Sequence, residues 1–211
     1  MNQKIIKTLL IFISLIVVAC GKKDSNKPFD EGNVKDEIYT SKEIGWTLEI
    51  PKGWSIISKD KMEQNDEKGQ KALEKSSGQR VDMSNLKHLI SFQKDNFNLF
   101  VSTSEPYKEL NAGDHKKNGK NVRELIYQTY IDHGIKADSS SAKEIIQGLE
   151  FDAFYVTIYA PDGKVVLNQI LYNKLINGYD FGVNMNYNNE NDKKVMLDAF
   201  KKSKFNRRLK Q

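Results

Sequence analysis

Hydrophobic residues at every second position predict strands in the first half of the chain, because successive strand side chains point to opposite faces of a sheet. Pro51 and Gly53 separate a first strand from a short second strand at residues 56–57. Asp95 and Asn96 lie between two further alternating runs and predict a hairpin turn. The apolar residues that define these strands are Trp46, Leu48, Ile50, Leu86, Ile90, Phe92, Phe97, Leu99 and Val101.

Three segments have the hydrophobic period of amphipathic helices. The first, residues 59–77, is highly charged, and Asp60 and Glu63 have the spacing of a capping box at its start. The second is expected to start after Asn121 as its N-cap and to end at Gly134, a residue that commonly follows a helix. The third covers residues 191–203, and its inward residues are Val195, Met196, Ala199 and Phe200.

A meander of three strands is predicted between the second and third helices. Asp162–Gly163 and Asn177–Gly178 mark its two turns, and Asn-Gly is the strongest short hairpin signal. In the last strand, apolar residues from Tyr179 to Tyr187 alternate with polar residues, so we expect Asn184 and Asn186 to face solvent. Antiparallel hairpins with separate helices predict an α+β fold, in which a central antiparallel β-sheet is flanked by helices.

Two short motifs resemble those of PsbP-like domains. An aromatic strand that ends in Pro-x-Gly-Trp, here Ile50-Pro51-Lys52-Gly53-Trp54, opens many of them. A closing amphipathic helix that ends in Ser-x-Phe, here Ser203-Lys204-Phe205, follows a meander in the same family. The resemblance covers residues 37–206 and implies an α/β/α sandwich around an antiparallel sheet.

The PsbP-like resemblance implies a fold but no activity. The family includes a photosystem extrinsic subunit, a small-GTPase-binding protein and bacterial lipoproteins, and most of its members are binding or assembly proteins. No family catalytic residue exists that could be transferred to this chain. The chain departs from the family pattern in its charged segment at 59–77 and in a long polar loop at 106–120.

The first twenty residues predict the location of the protein. Lys4 and Lys7 precede an apolar run at residues 9–18, which is typical of a secretory signal and too short for a membrane span. The sequence Val17-Val18-Ala19-Cys20 resembles the lipobox of bacterial lipoproteins. This resemblance implies that Cys20 is acylated, as with diacylglyceryl and palmitate chains, and becomes the new N-terminus after residues 1–19 are cut off. The alternative is an ordinary signal peptide with a chance cysteine.

Composition supports this organisation of the chain. Cys20 is the only cysteine, so the fold has no internal disulfide. Residues 20–36 are polar and predict a flexible tether after the lipidated cysteine, followed by a single domain at 37–206 and a basic tail at 207–211. Loss of Lys4 and Lys7 lowers the formal charge from +5 to +3, which does not indicate a nucleic-acid partner. We expect a cell-envelope protein held on a membrane by its lipid, facing the periplasm or in the outer membrane of a Gram-negative cell.

The basic tail is a candidate for a second membrane contact. Lys204, Arg207, Arg208 and Lys210 lie at the end of the chain. Each cation near an anionic lipid surface contributes about 1 kcal/mol, so these residues are able to orient a tethered domain. The simpler interpretation is a solvated helix end whose positive charges suit the helix dipole.

The chain lacks the sequence motifs of common catalytic and cofactor sites. It has no Gly-x-Ser-x-Gly, no His-Glu-x-x-His, no phosphate loop, no dinucleotide fingerprint and no pair of cysteines for zinc. His88 on a strand, His115 in a loop and His133 at a helix end are far apart in sequence, and we interpret them as structural. We therefore predict no catalytic residue, no cofactor and no metal ligand.

Other chemically suggestive runs have simpler structural interpretations. Ser139–Ser141 is read as a loop that leads to an N-cap, because no base accompanies these serines. The acidic and amide residues at 184–192 lack the glycine and the spaced carboxylates of a calcium loop. Trp46 shares a face with apolar residues and is assigned to the core. The tyrosines expected to be exposed are Tyr127, Tyr155, Tyr159 and Tyr172.

The function that these patterns favour is a non-enzymatic binding or assembly module of unknown ligand, with a protein partner in the envelope. Two alternatives remain open. One is an envelope hydrolase whose site is assembled from distant residues, such as His115 or His133 with a carboxylate. The other is a glycan-binding lipoprotein, which an exposed aromatic patch on the sheet would favour.

Overall fold

A computed structural model describes residues 32–206. The helices in this range are α1 (Lys59–Ser77), α2 (Asp114–Asp132) and α3 (Glu190–Lys202). The strands are β1 (Asn33–Lys35), β2 (Ile38–Ser41), β3 (Trp46–Glu49), β4 (Ser55–Ile56), β5 (Lys87–Gln93), β6 (Leu99–Pro106), β7 (Ala137–Ile146), β8 (Leu149–Tyr159), β9 (Val165–Ile176), β10 (Tyr179–Tyr187) and β11 (Lys204–Phe205). None of these helices is long and apolar enough to cross a membrane.

Two antiparallel sheets form the centre of the domain. The large sheet has the order β4-β5-β6-β10-β9-β8-β7, and the small sheet has the order β1-β2-β3-β11. Apolar residues of α1 and α2 pack on one face of the large sheet, whereas α3 and the small sheet pack on the other face. This arrangement confirms the predicted α+β fold and the α/β/α layering around an antiparallel sheet.

The core between the two sheets is built around Trp46, which is fully buried as predicted. Its indole stacks on Phe205 of β11 at 6.0 Å and meets the edge of Phe181 at 5.0 Å. The indole Nε1 donates a hydrogen bond to Ser203 Oγ at 2.9 Å, and that hydroxyl donates to the carbonyl oxygen of Phe200. A buried indole N–H needs a hydrogen-bond acceptor. Ser203 of the closing Ser-x-Phe sequence supplies that acceptor for Trp46 of β3.

The Pro-x-Gly-Trp sequence makes a tight turn after β3. The backbone N–H of Trp54 donates to the Pro51 carbonyl at 3.1 Å, and Gly53 has a φ of +75°. Trp54 then packs edge-on against Phe92 of β5 at 5.7 Å. The turn therefore carries the chain from the small sheet to the large one.

The helices agree with the predicted segments at most ends, and two details were wrong. The N-cap of α1 is Ser58, whose Oγ accepts from the Lys61 N–H, so Asp60 does not cap this helix. Helix α2 starts at Asp114 with Gly113 as its N-cap, eight residues before the predicted N-cap Asn121. In the first turns of α2 the buried residues are His115 and Gly119. Neither is a large apolar residue, so the sequence shows no helical hydrophobic pattern there.

Two strand predictions also failed. Residues 139–141 lie in the middle of β7, a ten-residue edge strand, and not in a loop. Both faces of this strand are exposed there, so its sequence shows no alternation. Asn184 and Asn186, expected to face solvent, are 3% and 1% exposed, because α1 and α2 cover that face of β10. Strand β1 lies within the stretch for which the sequence predicts a tether.

The register of the small sheet brings the two ends of the described chain together. Asn33 of β1 lies in the same row as Thr40, Thr47 and Lys204, which belong to β2, β3 and β11. Since β1 and β11 are antiparallel, the chain enters and leaves at the same end of this sheet. Three strand spacings place these two points about 14 Å apart. The predicted signal at 1–19, Cys20, most of the tether and the tail lie outside the described residues.

Candidate functional site

An acidic cluster is buried between the large sheet and the N-terminal half of α2. Glu105 of β6 and Asp180 of β10 are directly opposite each other, and they are 1% and 6% exposed. Directly opposite residues on antiparallel strands have Cβ atoms about 4.5–5.5 Å apart. Two carboxyl groups are therefore forced together in a place with little access to water.

Asp180 is the hydrogen-bonded member of the pair. Its Oδ1 accepts from His115 Nε2 at 2.9 Å and from the side-chain amide of Asn173 on β9. His115 is 7% exposed and belongs to the first turn of α2. The Asp180–His115 contact therefore ties the start of α2 to the centre of the large sheet.

Glu105 is the unsatisfied member of the pair. Neither of its carboxylate oxygens has a hydrogen-bond partner among residues 32–206. Burial, and to a lesser extent the negative charges of Asp180 and Asp82, together raise the pKa of Glu105 from its ordinary value of 4.5 to about 8. Because a buried carboxylate without a partner is costly, Glu105 holds its proton at neutral pH.

The surroundings of His115 fix its position. Its backbone N–H donates to Glu109 Oε1 at 3.1 Å, and the ring of Tyr107 meets the imidazole edge-on at 5.2 Å. Burial raises the pKa of Tyr107, and the neighbouring carboxylates, Asp114 first among them, add to this rise. The cluster is thus predominantly acidic, with His115 as the hydrogen-bond partner of Asp180.

A second histidine–aspartate pair lies beside the acidic cluster. His88 Nε2 and Asp66 Oδ2 of α1 are 2.7 Å apart, and His88 is 2% exposed. His88 lies opposite Thr103 on β6, two residues before Glu105, so both groups share the face beneath the helices. The His88–Asp66 pair connects β5 to α1, in the same way that the Asp180–His115 pair connects β10 to α2.

This arrangement contains elements of acid–base chemistry but presents none of them to a substrate. A histidine held by a carboxylate and a neutral carboxylic acid are groups that hydrolases use. Here Glu105, His115 and Asp180 are all at least nine-tenths buried. No group of three histidine, cysteine or acidic side chains in the described range is arranged to hold a metal ion.

A polar network connects two turns at the other end of β6 and β10. Asn98 is 1% exposed, and its amide contacts Asp95, Asn188 and Asn189. Asn189 in turn caps α3 by accepting from the Asp192 N–H at 2.9 Å. The residues at 188–192 are therefore engaged in capping and turn contacts.

A surface groove of about 390 Å³ runs between α3 and the outer face of the small sheet. Its apolar lining includes Ile38, Val195 and Ala199, and Lys202 and Lys204 lie at its side. Lys204, a predicted membrane-contact residue, is exposed on β11. The other predicted contacts, Arg207, Arg208 and Lys210, lie outside the described residues, as does Cys20.

The predicted aromatic surface is only partly present. Tyr172 is 2% exposed and belongs to the core, so its predicted exposure was wrong. Tyr155 and Tyr159 are half-buried on β8, with their hydroxyls donating to Glu144 and Asp138 respectively. Their ring faces form a limited patch beside the edge strand β7.

Sequence reasoning missed the acidic cluster. Glu105 was not singled out, and Asp180 was treated as one polar residue in an alternating strand. The available signal was the position of Glu105 at the end of an apolar strand, two residues after Thr103 and four after Val101. The pairing with His115 has no local signal, because the three residues come from three separate elements.

Comparisons with known proteins identify the fold. No protein-family model matches the sequence, and no characterised protein matches it either. A solved structure that does match is the solution structure of cyanobacterial PsbP (CyanoP) from Synechocystis sp. PCC 6803, with a TM-score of 0.52. The match has 9% sequence identity and covers 89% of this chain and 98% of that chain. The domain therefore has a PsbP-like fold.

Proposed function

We propose that this protein is a lipid-anchored protein of the cell envelope whose PsbP-like domain is a non-enzymatic binding or assembly module. Two features support the proposal. The sequence at Cys20 resembles a lipobox, and the titratable cluster of the domain is buried away from substrates. The two acyl chains of such a cysteine hold a protein on a membrane far more firmly than one chain does.

The main support for the proposal is the position of the two ends of the described chain, which leave the small sheet at the same end. Asn33 and Lys204 lie in the same row, about 14 Å apart as three strand spacings. An anchor attached through Cys20 and a basic tail that follows Asn206 would then reach the same membrane surface. Lys204, Arg207, Arg208 and Lys210 are the proposed contacts with anionic lipid.

The burial of the acidic cluster supports a binding role over a hydrolytic one. A hydrolase needs its histidine and carboxylates to touch the substrate, and His115, Asp180 and Glu105 do not reach the surface. A glycan-binding role would use exposed aromatic faces, and Tyr172 is part of the core. The accessible features are the groove beside α3 and the half-buried tyrosines of β8.

Membrane fractionation tests the anchor. The full-length protein is expected in the membrane fraction after washes with high salt and with carbonate, and in solution after detergent extraction. A variant in which residues 1–20 are replaced by an ordinary cleavable secretory signal is expected to lose this attachment, while the variant Ser25→Ala serves as a control in the same tether. Equal membrane retention of wild type and of the variant with the replaced signal would contradict the proposal.

The tail contacts are tested separately on anionic and neutral vesicles. A protein of residues 21–211, without the signal and the lipidated cysteine, is expected to bind vesicles of anionic lipid weakly and neutral vesicles much less. The double variant Arg207→Glu and Arg208→Glu should remove most of this binding, since each cation contributes about 1 kcal/mol. A matched double variant on the opposite side of the domain, Lys116→Glu and Lys117→Glu in α2, should have little effect. Equal losses would contradict a specific tail contact.

The binding role is tested by cross-linking in isolated membranes, followed by affinity capture and mass spectrometry. A partner that is enriched with wild type and absent with an unrelated lipoprotein on the same membrane supports the proposal. Hydrolytic turnover by the purified protein that disappears in Asp180→Asn would contradict it and favour an enzyme.

A further inference from the structure

Strand β7 is a long outer strand at one edge of the large sheet. It has ten residues and pairs with β8 along its whole length without a bulge. The other outer strands of the two sheets are β1, β4 and β11, and each has only two or three residues. Proteins shorten, bend or block their outer strands because free backbone groups there pair with other chains. Within residues 32–206, β7 is the outer strand that is neither short nor bent.

The register of β7 determines which of its backbone groups point away from the sheet. The Tyr159 N–H donates to the Lys136 carbonyl at 3.0 Å, so this pair and every second pair after it exchange backbone hydrogen bonds with β8. The residues between them, whose N–H and C=O groups point outward, are Ala137, Ser139, Ser141, Lys143 and Ile145. The Ala137 carbonyl accepts from the Tyr127 hydroxyl of α2 at 3.1 Å. The outward groups of the other four residues have no partner among residues 32–206.

The charged side chains in the second half of β7 are held by neighbouring strands and do not block the edge. Lys143 forms an ion pair with Asp152 of β8, and Glu144 accepts a hydrogen bond from the Tyr172 hydroxyl of β9 at 3.0 Å. A lysine that extends off an outer strand prevents pairing, whereas this lysine is held within its own sheet. The exposed residues at 139–142 have small side chains, so another strand is able to approach the edge closely.

We propose that β7 pairs antiparallel with β7 of a second copy of this chain, about a two-fold axis at Ala142. The four residues with free outward groups lie symmetrically about Ala142, so this register uses all of them. Ser141 lies opposite Lys143 of the second copy, and Ser139 lies opposite Ile145, which is 67% exposed in a single copy. The two strands form about eight backbone hydrogen bonds in this way.

Charge favours this register over the neighbouring one. With the axis at Ala142, Asp138 and Glu144 both lie opposite uncharged residues of the second copy. With the axis at Ser141, Asp138 would lie directly opposite Glu144. Like charges that are directly opposite destabilise an antiparallel pair. The free backbone groups and the charges therefore select the same axis.

The symmetry of the pair suits two copies on one membrane. A two-fold axis that relates neighbouring antiparallel strands is perpendicular to the sheet, so both small sheets lie on the same side of the joined sheet. The described chain begins and ends in the small sheet, so both copies present their ends on that side. One strand edge is a small contact compared with a standard interface of about 1,600 Å², so confinement on a membrane favours the pair. The pairing concerns the folded domain and does not depend on the proposed anchor.

Disulfide trapping in cells that contain the full-length protein tests the register. The two Ala142 residues form a non-hydrogen-bonded pair with Cα atoms about 4.5 Å apart, a distance that suits a disulfide. The two Ser140 residues are about 14 Å apart, which is too far for one. After mild oxidation, Ala142→Cys should form at least about tenfold more disulfide-linked dimer than Ser140→Cys. Wild type gives the background from Cys20, because an unlipidated Cys20 thiol would produce dimers in all three proteins.

Two changes at Ser141 test the pairing independently of the position of the cysteine. Combined with Ala142→Cys, Ser141→Lys places a lysine opposite Lys143 of the second copy and should lower the amount of dimer several-fold. The matched change Ser141→Glu places an opposite charge there and should preserve the dimer. Ser141 is exposed, so neither change disturbs the core. The proposal is overturned if Ala142→Cys gives no more dimer than Ser140→Cys, or if Ser141→Lys and Ser141→Glu give equal amounts.

Discussion

Replacement of Asn98 by alanine should be among the most destabilising single changes in the domain. Its Nδ2 donates to Asp95 Oδ1 and Oδ2 at 3.1 and 3.0 Å and to Asn188 Oδ1 at 3.0 Å. Its Oδ1 accepts from the Asn188 N–H at 3.1 Å and from Asn189 Nδ2 at 3.3 Å. One side chain thus connects the β5–β6 turn to the junction of β10 and α3.

The magnitude follows from the number and type of these bonds. The hydrogen bond to the Asp95 carboxylate contributes about 2 kcal/mol, and the two bonds to Asn188 contribute about 1 kcal/mol each. Asn98→Ala removes these three bonds together with the longer contact from Asn189 Nδ2, and should lower the free energy of unfolding by about 4 kcal/mol. The neighbouring Asn96 is exposed in the same turn, so Asn96→Ala should cost less than about 0.5 kcal/mol.

The loss should also depend on pH. Burial acts to raise the pKa of Asp95, but the hydrogen bonds from the Phe97 N–H and from Asn98 outweigh it and leave this pKa below its ordinary value. A carboxyl group whose pKa is lowered by folding contributes stability above its unfolded pKa and loses that contribution as the pH falls. The cost of Asn98→Ala should therefore be larger at pH 7 than at pH 3.

Urea denaturation of wild type, Asn98→Ala and Asn96→Ala at both pH values measures these differences. A cost below about 1 kcal/mol for Asn98→Ala at pH 7 would refute the reasoning, because the bonds would then contribute less than a single ordinary hydrogen bond. An equal cost at pH 7 and pH 3 would refute the role assigned to Asp95.

Two further changes probe the contacts that join the ends of the domain. Ser203→Ala leaves the buried Nε1 of Trp46 without its acceptor and should lower the free energy of unfolding by about 1–3 kcal/mol, measured by urea denaturation with Ser203→Thr as the variant that retains a hydroxyl. Gly45 has a φ of +72°, and a Cβ there would lie 2.5 Å from the Asn206 carbonyl oxygen. Gly45→Ala should therefore lower the melting temperature more than Gly163→Ala, because Gly163 has a φ of +84° and open space around its Cβ position. Equal shifts for the two glycines would show that the backbone contact is unimportant.

The last third of the domain could be predicted closely because its signals are local. Asn177 and Gly178 have φ values of +52° and +84°, as the Asn-Gly hairpin turn requires. Helix α3 begins one residue before its predicted start, since Asn189 caps it and its apolar residues keep a helical period. Turn chemistry and periodicity operate over a few residues, so the sequence displays them directly.

The acidic cluster could not be predicted because its members are brought together only by tertiary structure. A period of two shows that Asp180 and Asn184 share a face of β10, but it does not show whether helices cover that face. The cover depends on α2, whose first turn carries His115 where the sequence predicts a loop. Strand β7 could not be predicted because most residues on both of its faces are exposed. Its sequence therefore has no alternation of apolar and polar residues.

The lipid anchor is tested most directly by the mass of the protein extracted from membranes. The account predicts a chain that starts at Cys20, lacks residues 1–19 and carries a diacylglyceryl group on the cysteine, with a further acyl chain where the amine is modified. A chain that retains Met1, or one that is cut elsewhere and keeps a free Cys20 thiol, would contradict the account.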